Sequence, residues 1–175
     1  MQLLTIPECK TSCEDRQIKL DDRGHPLRAL DGQYALRCAF PKSPTQFLWF
    51  CQFIERSLQP RESCLLWVTD WGIFCSAENL HLYYKLRQAY GDHRLLHEAP
   101  GHLFLKFESD DLVTFIELSM LSGWDAYLLP TVGYAWGFIS HHEEVELVFQ
   151  TPEPVEQSKA ELSKAGIELL PPKVR

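Results

Sequence analysis

The run Cys64–Val68 constrains the fold more than any other stretch of the chain. Its residues, CLLWV, are all apolar and show no alternation between polar and apolar positions. A strand of this kind is covered on both faces, so it usually lies in the middle of a sheet. The sequence therefore predicts a central strand here.

Helix and strand patterns alternate around this strand. A helix is predicted from Pro44 to about Leu58, because Pro suits a first helical turn, Ser43 and Gln46 can form a capping box, and apolar residues recur at helical spacing. Three further helices are predicted to begin near 76, 108 and 152 and to end before 91, 123 and 166. The other predicted strands are 16–20, 33–40, 102–107, 124–129, 134–139 and 143–149.

These elements predict an α+β fold with the order ββαβαβαβββα. The chain of 175 residues suits a single domain spanning 1–175. We expect a mixed sheet of about six to seven strands, with helices packed on it and a C-terminal antiparallel meander whose last strand lies at an edge. Residues 1–15 are predicted to be an irregular arm, and residues 152–175 a peripheral helix and tail.

Composition excludes several classes of protein. A formal net charge of −7 argues against a nucleic-acid surface, which needs an excess of Lys and Arg. No signal peptide and no stretch of about 18 apolar residues is present, so we expect a cytoplasmic protein without membrane contact. The six cysteines do not form a strong metal or redox motif and are expected to be reduced.

The segment 92–102 contains the densest group of titratable residues: Asp92, His93, His97, Glu98 and His102. On a helix, His93 and His97 would share a face, as paired metal ligands do. However, the order is not H-E-x-x-H, and Pro100-Gly101 favours a loop with exposed imidazoles. No cofactor is therefore predicted, and a divalent metal on His93, His97 and His102 remains the alternative.

Arg87 is predicted to lie among aromatic side chains on its helix. A guanidinium in such surroundings must meet a carboxylate, because burial of an isolated charge costs several kcal/mol. One interpretation is a structural ion pair, and the other is an anion-binding Arg at the rim of a pocket beside His93 or Arg94. The available carboxylates are Asp70, Asp92, Glu98 and Asp125.

Asp70 and Trp71 follow the central strand directly, where ligands bind in open α/β sheets. They are predicted either to form a recognition corner or to act as a turn and a lid over the core. The candidate ligand-binding set is Asp70, Trp71, Arg87, His93 and His97. Cys75 precedes a helix start, but this position alone is weak evidence for a nucleophile.

Two functions remain open. The first is a protein-binding module of an inhibitory, immunity-like kind, with a protein partner, which fits the acidic charge and the interface-type aromatic residues Trp71, Tyr83, Tyr134 and Trp136. The alternative is a small-ligand-binding protein or a hydrolase-type enzyme that uses the Asp/Arg/His cluster. Convergence of Asp70, Arg87, His93 and His97 on one pocket would favour the alternative, and dispersal would favour the module.

Overall fold

The structure, a computed structural model, describes residues 1–27, 34–72, 77–131 and 135–171, and for residues 77–82 it describes only the backbone. Within these residues the chain forms one sheet, five α-helices and a short 3₁₀ helix, η1. In chain order the elements are β1 Gln2–Leu4, α1 Ile6–Asp15, β2 Tyr34–Ala39, α2 Pro44–Leu58, β3 Ser63–Asp70, α3 Ala77–Ala89, β4 Gly101–Leu105, η1 Lys106–Glu108, α4 Ser109–Leu121, β5 Asp125–Pro130, β6 Ala135–Ser140, β7 Glu144–Phe149, α5 Glu153–Lys164 and β8 Leu169–Leu170.

The eight strands are ordered β1-β4-β3-β5-β6-β7-β2-β8, and every described pairing is antiparallel. The predicted α+β class is therefore confirmed. The prediction of a mixed sheet is wrong, because β3 runs antiparallel to both of its neighbours, β4 and β5. The predicted count and order also differ, since β1 and α1 add to the predicted elements and the strand predicted at 16–20 is not formed. β8 lies at the sheet edge, close to the last edge strand that Ile167–Leu169 could add by sequence.

β3 lies in the interior of the sheet and is buried on both faces, which confirms the prediction from Cys64–Val68. Successive side chains of a strand point to opposite faces. Leu66 and Val68 accordingly pack with the helices α2 and α4, whereas Leu65 and Trp67 pack on the opposite face. The run does not alternate because both faces of the strand are covered.

α2 begins at Pro44 and ends at Leu58, as predicted. Ser43 is its N-cap residue, but the predicted capping box is not formed. The Ser43 hydroxyl is 2.8 Å from the Thr45 hydroxyl, and the Gln46 side chain donates to the Ala165 carbonyl at 2.7 Å.

None of the helices in the described part of the chain combines the length and the apolar composition needed to cross a membrane.

Residues 1–15 are regular, so the predicted irregular arm is wrong. β1 pairs with β4, and α1 packs on the face of the sheet that carries Leu65 and Trp67. The Thr5 hydroxyl and the Glu8 carboxylate form a reciprocal capping box at the start of α1. Cys9 and Cys13 supply the buried contacts of this helix, which its mostly polar composition obscures.

The predicted strand at 16–20 is also wrong. Only Leu20 makes a bridge, to Pro26, around a turn in which the Gly24 amide donates to the Asp21 carbonyl at 2.9 Å. The turn itself agrees with the prediction from its Asp and Gly residues. The segment lies over the second face of the sheet and covers it together with α1.

β5, β6 and β7 form the predicted antiparallel meander. The prediction that β7 is an edge strand is wrong, because β7 pairs with β2, and β2 with β8. The Glu144 carboxylate forms an ion pair with Arg37 of β2, so it stabilises a strand pair rather than protecting an edge. α5 buries Val155 and Leu162, as the few apolar positions of this helix predict.

Candidate functional site

Arg87 is fully buried and pairs with Asp92. Its Nη2 atom donates to Asp92 Oδ1 at 3.0 Å, and its guanidinium carbon lies 5.8 Å from the centre of the Tyr83 ring. The end of α3 explains this contact. Gly91 adopts a φ of +79°, and the Asp92 amide donates back to the Arg87 carbonyl at 3.1 Å, as in a Schellman motif.

Asp92 also holds Arg94. Arg94 Nε donates to Asp92 Oδ2 at 2.8 Å, and Arg94 Nη2 donates to the carbonyl of Leu3 in the edge strand β1 at 3.0 Å. Burial raises the pKa of Asp92, but hydrogen bonds from Arg94 and Arg87 outweigh it and lower that pKa to about 2. Asp92 therefore links α3, the following loop and the end of the sheet. This arrangement matches the structural ion pair rather than a rim Arg, because Arg87 is not exposed.

Tyr83 and His102 form a second buried polar contact. The Tyr83 hydroxyl is hydrogen-bonded to His102 Nε2, and His102 Nδ1 lies 3.3 Å from the Leu66 carbonyl. Since a carbonyl only accepts, the proton of the neutral imidazole is on Nδ1, and Tyr83 donates to Nε2. Burial lowers the pKa of His102 to about 3 and raises the pKa of Tyr83. Both imidazole nitrogens are therefore occupied by protein groups.

The neutral His102 predicts a loss of stability in mild acid. The unfolded chain takes up a proton near pH 6.5, whereas the folded chain does so only near pH 3. Stability should therefore fall between these pH values, by up to about 1.4 kcal/mol per pH unit from this group. We expect His102→Gln, whose amide can replace both hydrogen bonds, to show a flatter profile in denaturant titrations from pH 7 to pH 4. The exposed His93→Gln variant should follow the native protein, and parallel profiles for all three would contradict the assignment.

Trp71 packs over the buried polar groups. Its ring centre lies 4.8 Å from that of Trp124 and 5.4 Å from that of Tyr83. The neighbouring Asp70 is exposed, and its Oδ1 atom accepts from the Gly72 amide at 3.0 Å. These contacts are those expected for a lid and a turn. The argument from ligand binding at the carboxyl ends of parallel strands does not apply, because the sheet is antiparallel.

Asp70 also belongs to a group with metal-ligand geometry. Strand pairing places it opposite Asp125, and His141 Nδ1 lies 2.9 Å from Asp125 Oδ1. Single ligand atoms of these three residues lie within 4.8 Å of one another. Two carboxylates and an imidazole can hold a divalent cation. The hydrogen bond between His141 and Asp125 equally accounts for their closeness, and two of the three side chains are exposed.

The predicted site residues do not converge. His93 and His97 are exposed on the loop before β4, whereas His102 is buried, so the alternative metal set is not brought together among the described residues. Trp71 and His97 do line one cleft, but Arg87 and Asp70 are not part of its wall. Arg87 is buried, whereas Asp70, His93 and His97 are exposed, and the enzyme hypothesis stays a prediction.

The described cysteines offer no activated nucleophile. Burial raises the pKa of their thiols, to about 11 for Cys13 and to about 12 for the others. A thiol in such surroundings is inert. The five residues are Cys9, Cys13, Cys38, Cys51 and Cys64. Cys75 and the predicted cap Ser76, like the predicted interface residue Tyr134, lie outside the described residues.

No family model matches the chain, and neither the curated proteins nor the solved structures contain a match. The site is therefore interpreted from its geometry.

Sequence reasoning missed three sets of contacts. His102 alternates with Phe104 in β4, and this inward position predicts burial rather than a loop ligand. Asp70 and Asp125 lie at the ends of predicted strands, and this position in the sequence is the feature from which their closeness could have been predicted. No sequence pattern predicts the contact between α1 and the turn at 21–24, because this contact depends on how all the segments pack on the face of the sheet that carries Leu65 and Trp67.

Proposed function

We propose that this protein is a protein-binding module of the inhibitory, immunity-like kind, which binds a positively charged partner through one acidic and aromatic surface. The single observation that carries the proposal is Phe107 in η1, whose side chain is 81% exposed. An exposed ring with further exposed apolar side chains near it forms the kind of patch that marks an interaction site, whereas a single exposed apolar residue does not.

The surface, here called the Phe107 surface, lies around η1 and the first turn of α4. Leu105 is 45% exposed and Tyr90 is 39% exposed. Burial and the neighbouring carboxylates Asp111 and Glu108 raise the pKa of Tyr90, which places this ring beside α4. The Phe107 surface consists of Tyr90, Leu105, Phe107 and the carboxylates of Glu62, Asp110 and Asp111.

The charge of this surface favours a basic partner. The Lys106 amide donates to the Glu62 carbonyl at 2.8 Å. The pKa of Glu55 is raised mainly by burial and also by the nearby negative charge of Asp110. Glu62, Asp110 and Asp111 are therefore close to η1 along the chain or through a backbone bond, together with the cations Arg61 and Lys106. Acidic groups at the rim of an interface accelerate association with a positive partner and suppress binding to a negative one.

Binding agrees better than catalysis with the described groups. An inhibitor acts by covering a site on its target, so it needs no reactive group of its own. Arg87, Tyr83 and His102 are sealed in the core by one another and by Trp71. Exposed aromatic residues supply most of the binding energy at protein interfaces, and Phe107 is the most exposed large apolar side chain of the described residues.

The experiment is affinity capture followed by titration of the captured partner. Immobilised native protein should retain a basic protein from an extract of its source, and salt should weaken the retention. Phe107→Ser should weaken binding of the purified partner by about 30-fold, corresponding to about 2 kcal/mol for a central aromatic residue.

The matched control is Leu121→Ser. Leu121 is 64% exposed at the opposite end of α4, about 20 Å along the helix from Phe107. This variant also removes an exposed apolar side chain, but it should bind the partner as the native protein does. A partner retained equally by Phe107→Ser, or retention of no protein at all, would contradict the proposal.

A further inference from the structure

A cleft of about 330 Å³ opens on the face of the sheet covered by α1, away from the Phe107 surface. Its walls come from α1, from the turn before Pro26, from the end of β3 and from the loop before β4. Six of its lining residues carry the argument: Lys10, Arg23, His25, Trp67, Trp71 and His97. We propose that this cleft binds a small organic anion with a flat, apolar ring.

The polar part of the wall is suited to negative charge. Lys10 and Arg23 are cationic, and the imidazoles of His25 and His97 supply N–H donors in either protonation state. No carboxylate is among the described residues that line the cleft. Because the whole chain carries a net charge of −7, this grouping of basic side chains is a local reversal of sign, which attracts anions into the cleft.

The turn contains two carboxylates, Asp21 and Asp22, and the first of them is bound to the backbone. Asp21 Oδ1 accepts from the backbone amides of Arg23 and His25, each at 2.9 Å. Hydrogen bonding from the His25 amide lowers the pKa of Asp21, so the carboxylate stays ionised and holds the turn. The turn therefore presents Arg23 and His25 to the cleft, whereas Asp21 is bound to the backbone and Asp22 is not among the described lining residues.

Gly24 allows the ammonium of Lys10 to lie against this turn. Gly24 adopts a φ of +77°, and a Cβ atom at this position would lie 2.5 Å from Lys10 Nζ. Lys10 from α1 and Arg23 from the turn both line the cleft.

The apolar part of the wall is aromatic. The Trp67 ring packs edge-on to His25 at 6.0 Å between ring centres, and Trp71 lies at the end of β3. A pocket of this volume is at the small end of the range for organic ligands, and a few polar groups on aromatic walls are typical of such sites. Flat ligands with one anionic group match both parts of the wall.

The test uses 2-naphthoate as the probe and its neutral amide, 2-naphthamide, as the control ligand. We expect naphthoate to bind, in isothermal titration calorimetry, at least about tenfold more tightly than the amide. In NMR spectra of the imidazole side chains, naphthoate should shift the resonances of His25 and His97 and leave those of His93 and His141 unchanged.

The variant Lys10→Met/Arg23→Met should weaken naphthoate binding by at least about tenfold. A matched variant, Lys42→Met/Lys164→Met, changes the net charge equally at exposed positions outside the cleft and should bind as the native protein does. Thermal unfolding of both variants checks that the fold is retained. Equal binding of naphthoate and amide, binding unaffected by the cleft variant, or no binding at about 10 mM probe would overturn the proposal.

Discussion

Asp92→Asn should lower the free energy of unfolding by about 3 to 5 kcal/mol, since it leaves the guanidinium of Arg87 buried without its counter-charge. Arg87 has no exposed surface, and its Nε and Nη1 atoms already lack hydrogen-bond partners within the described part of the chain. The substitution also removes the anion that holds Arg94 to the end of the sheet. Urea denaturation followed by circular dichroism would measure the change.

Two further variants make this measurement specific. Glu161→Gln removes an ion pair with Arg56 in which both side chains are about half exposed, and such pairs contribute only about 0 to 1 kcal/mol. Adding Arg87→Met to Asp92→Asn should recover part of the loss, because no uncompensated charge then remains buried. A loss below about 1 kcal/mol for Asp92→Asn would show that the buried pair does not stabilise the fold.

Leu66→Ala should cost about 2 to 5 kcal/mol, because it removes a fully buried side chain from β3 and leaves a cavity beneath α2 and α4. Leu65→Ala makes the same chemical change on the opposite face, among the residues packed under α1. We expect a loss in the same range for both variants, since both side chains are fully buried. Chemical denaturation at pH 7 would measure the two changes.

The control for both is Leu48→Ala on α2, where half of the side chain is exposed. A change within about 0.5 kcal/mol is expected there. If Leu65→Ala behaved like Leu48→Ala, the face beneath α1 would not be a packed core, and the explanation of the non-alternating run would be wrong.

The strength of local patterns decides which elements the sequence could predict. Cys64–Val68 and Pro44–Leu58 carry a continuous apolar run and a clear helical stripe, and the structure confirms both. α1 buries two thiols among polar residues, so its pattern resembles an exposed arm. Strand direction was not predictable from the central run, because burial on both faces gives the same composition in parallel and antiparallel sheets.

The candidate site shows the same limit. The need of Arg87 for a carboxylate follows from its aromatic surroundings, and Asp92 is one of the four carboxylates that the sequence offers. The choice among the four depends on the helix ending at Gly91, which turns Asp92 back toward Arg87. The grouping of Asp70, Asp125 and His141 and the cleft beside Lys10 depend on strand register and on packing between distant segments, which no local pattern encodes.

The five thiols in the described part of the chain are divided between the two faces of the sheet. Cys9 and Cys13 are the buried residues of α1, on one face, whereas Cys38, Cys51 and Cys64 lie in the core cluster on the other face, with residues of α2, α4 and α5. An alkylating reagent can reach either group only when the covering layer moves away. Mass spectrometry of the alkylated peptides would therefore time the exposure of each face separately, using native side chains as the reporters and without an introduced label.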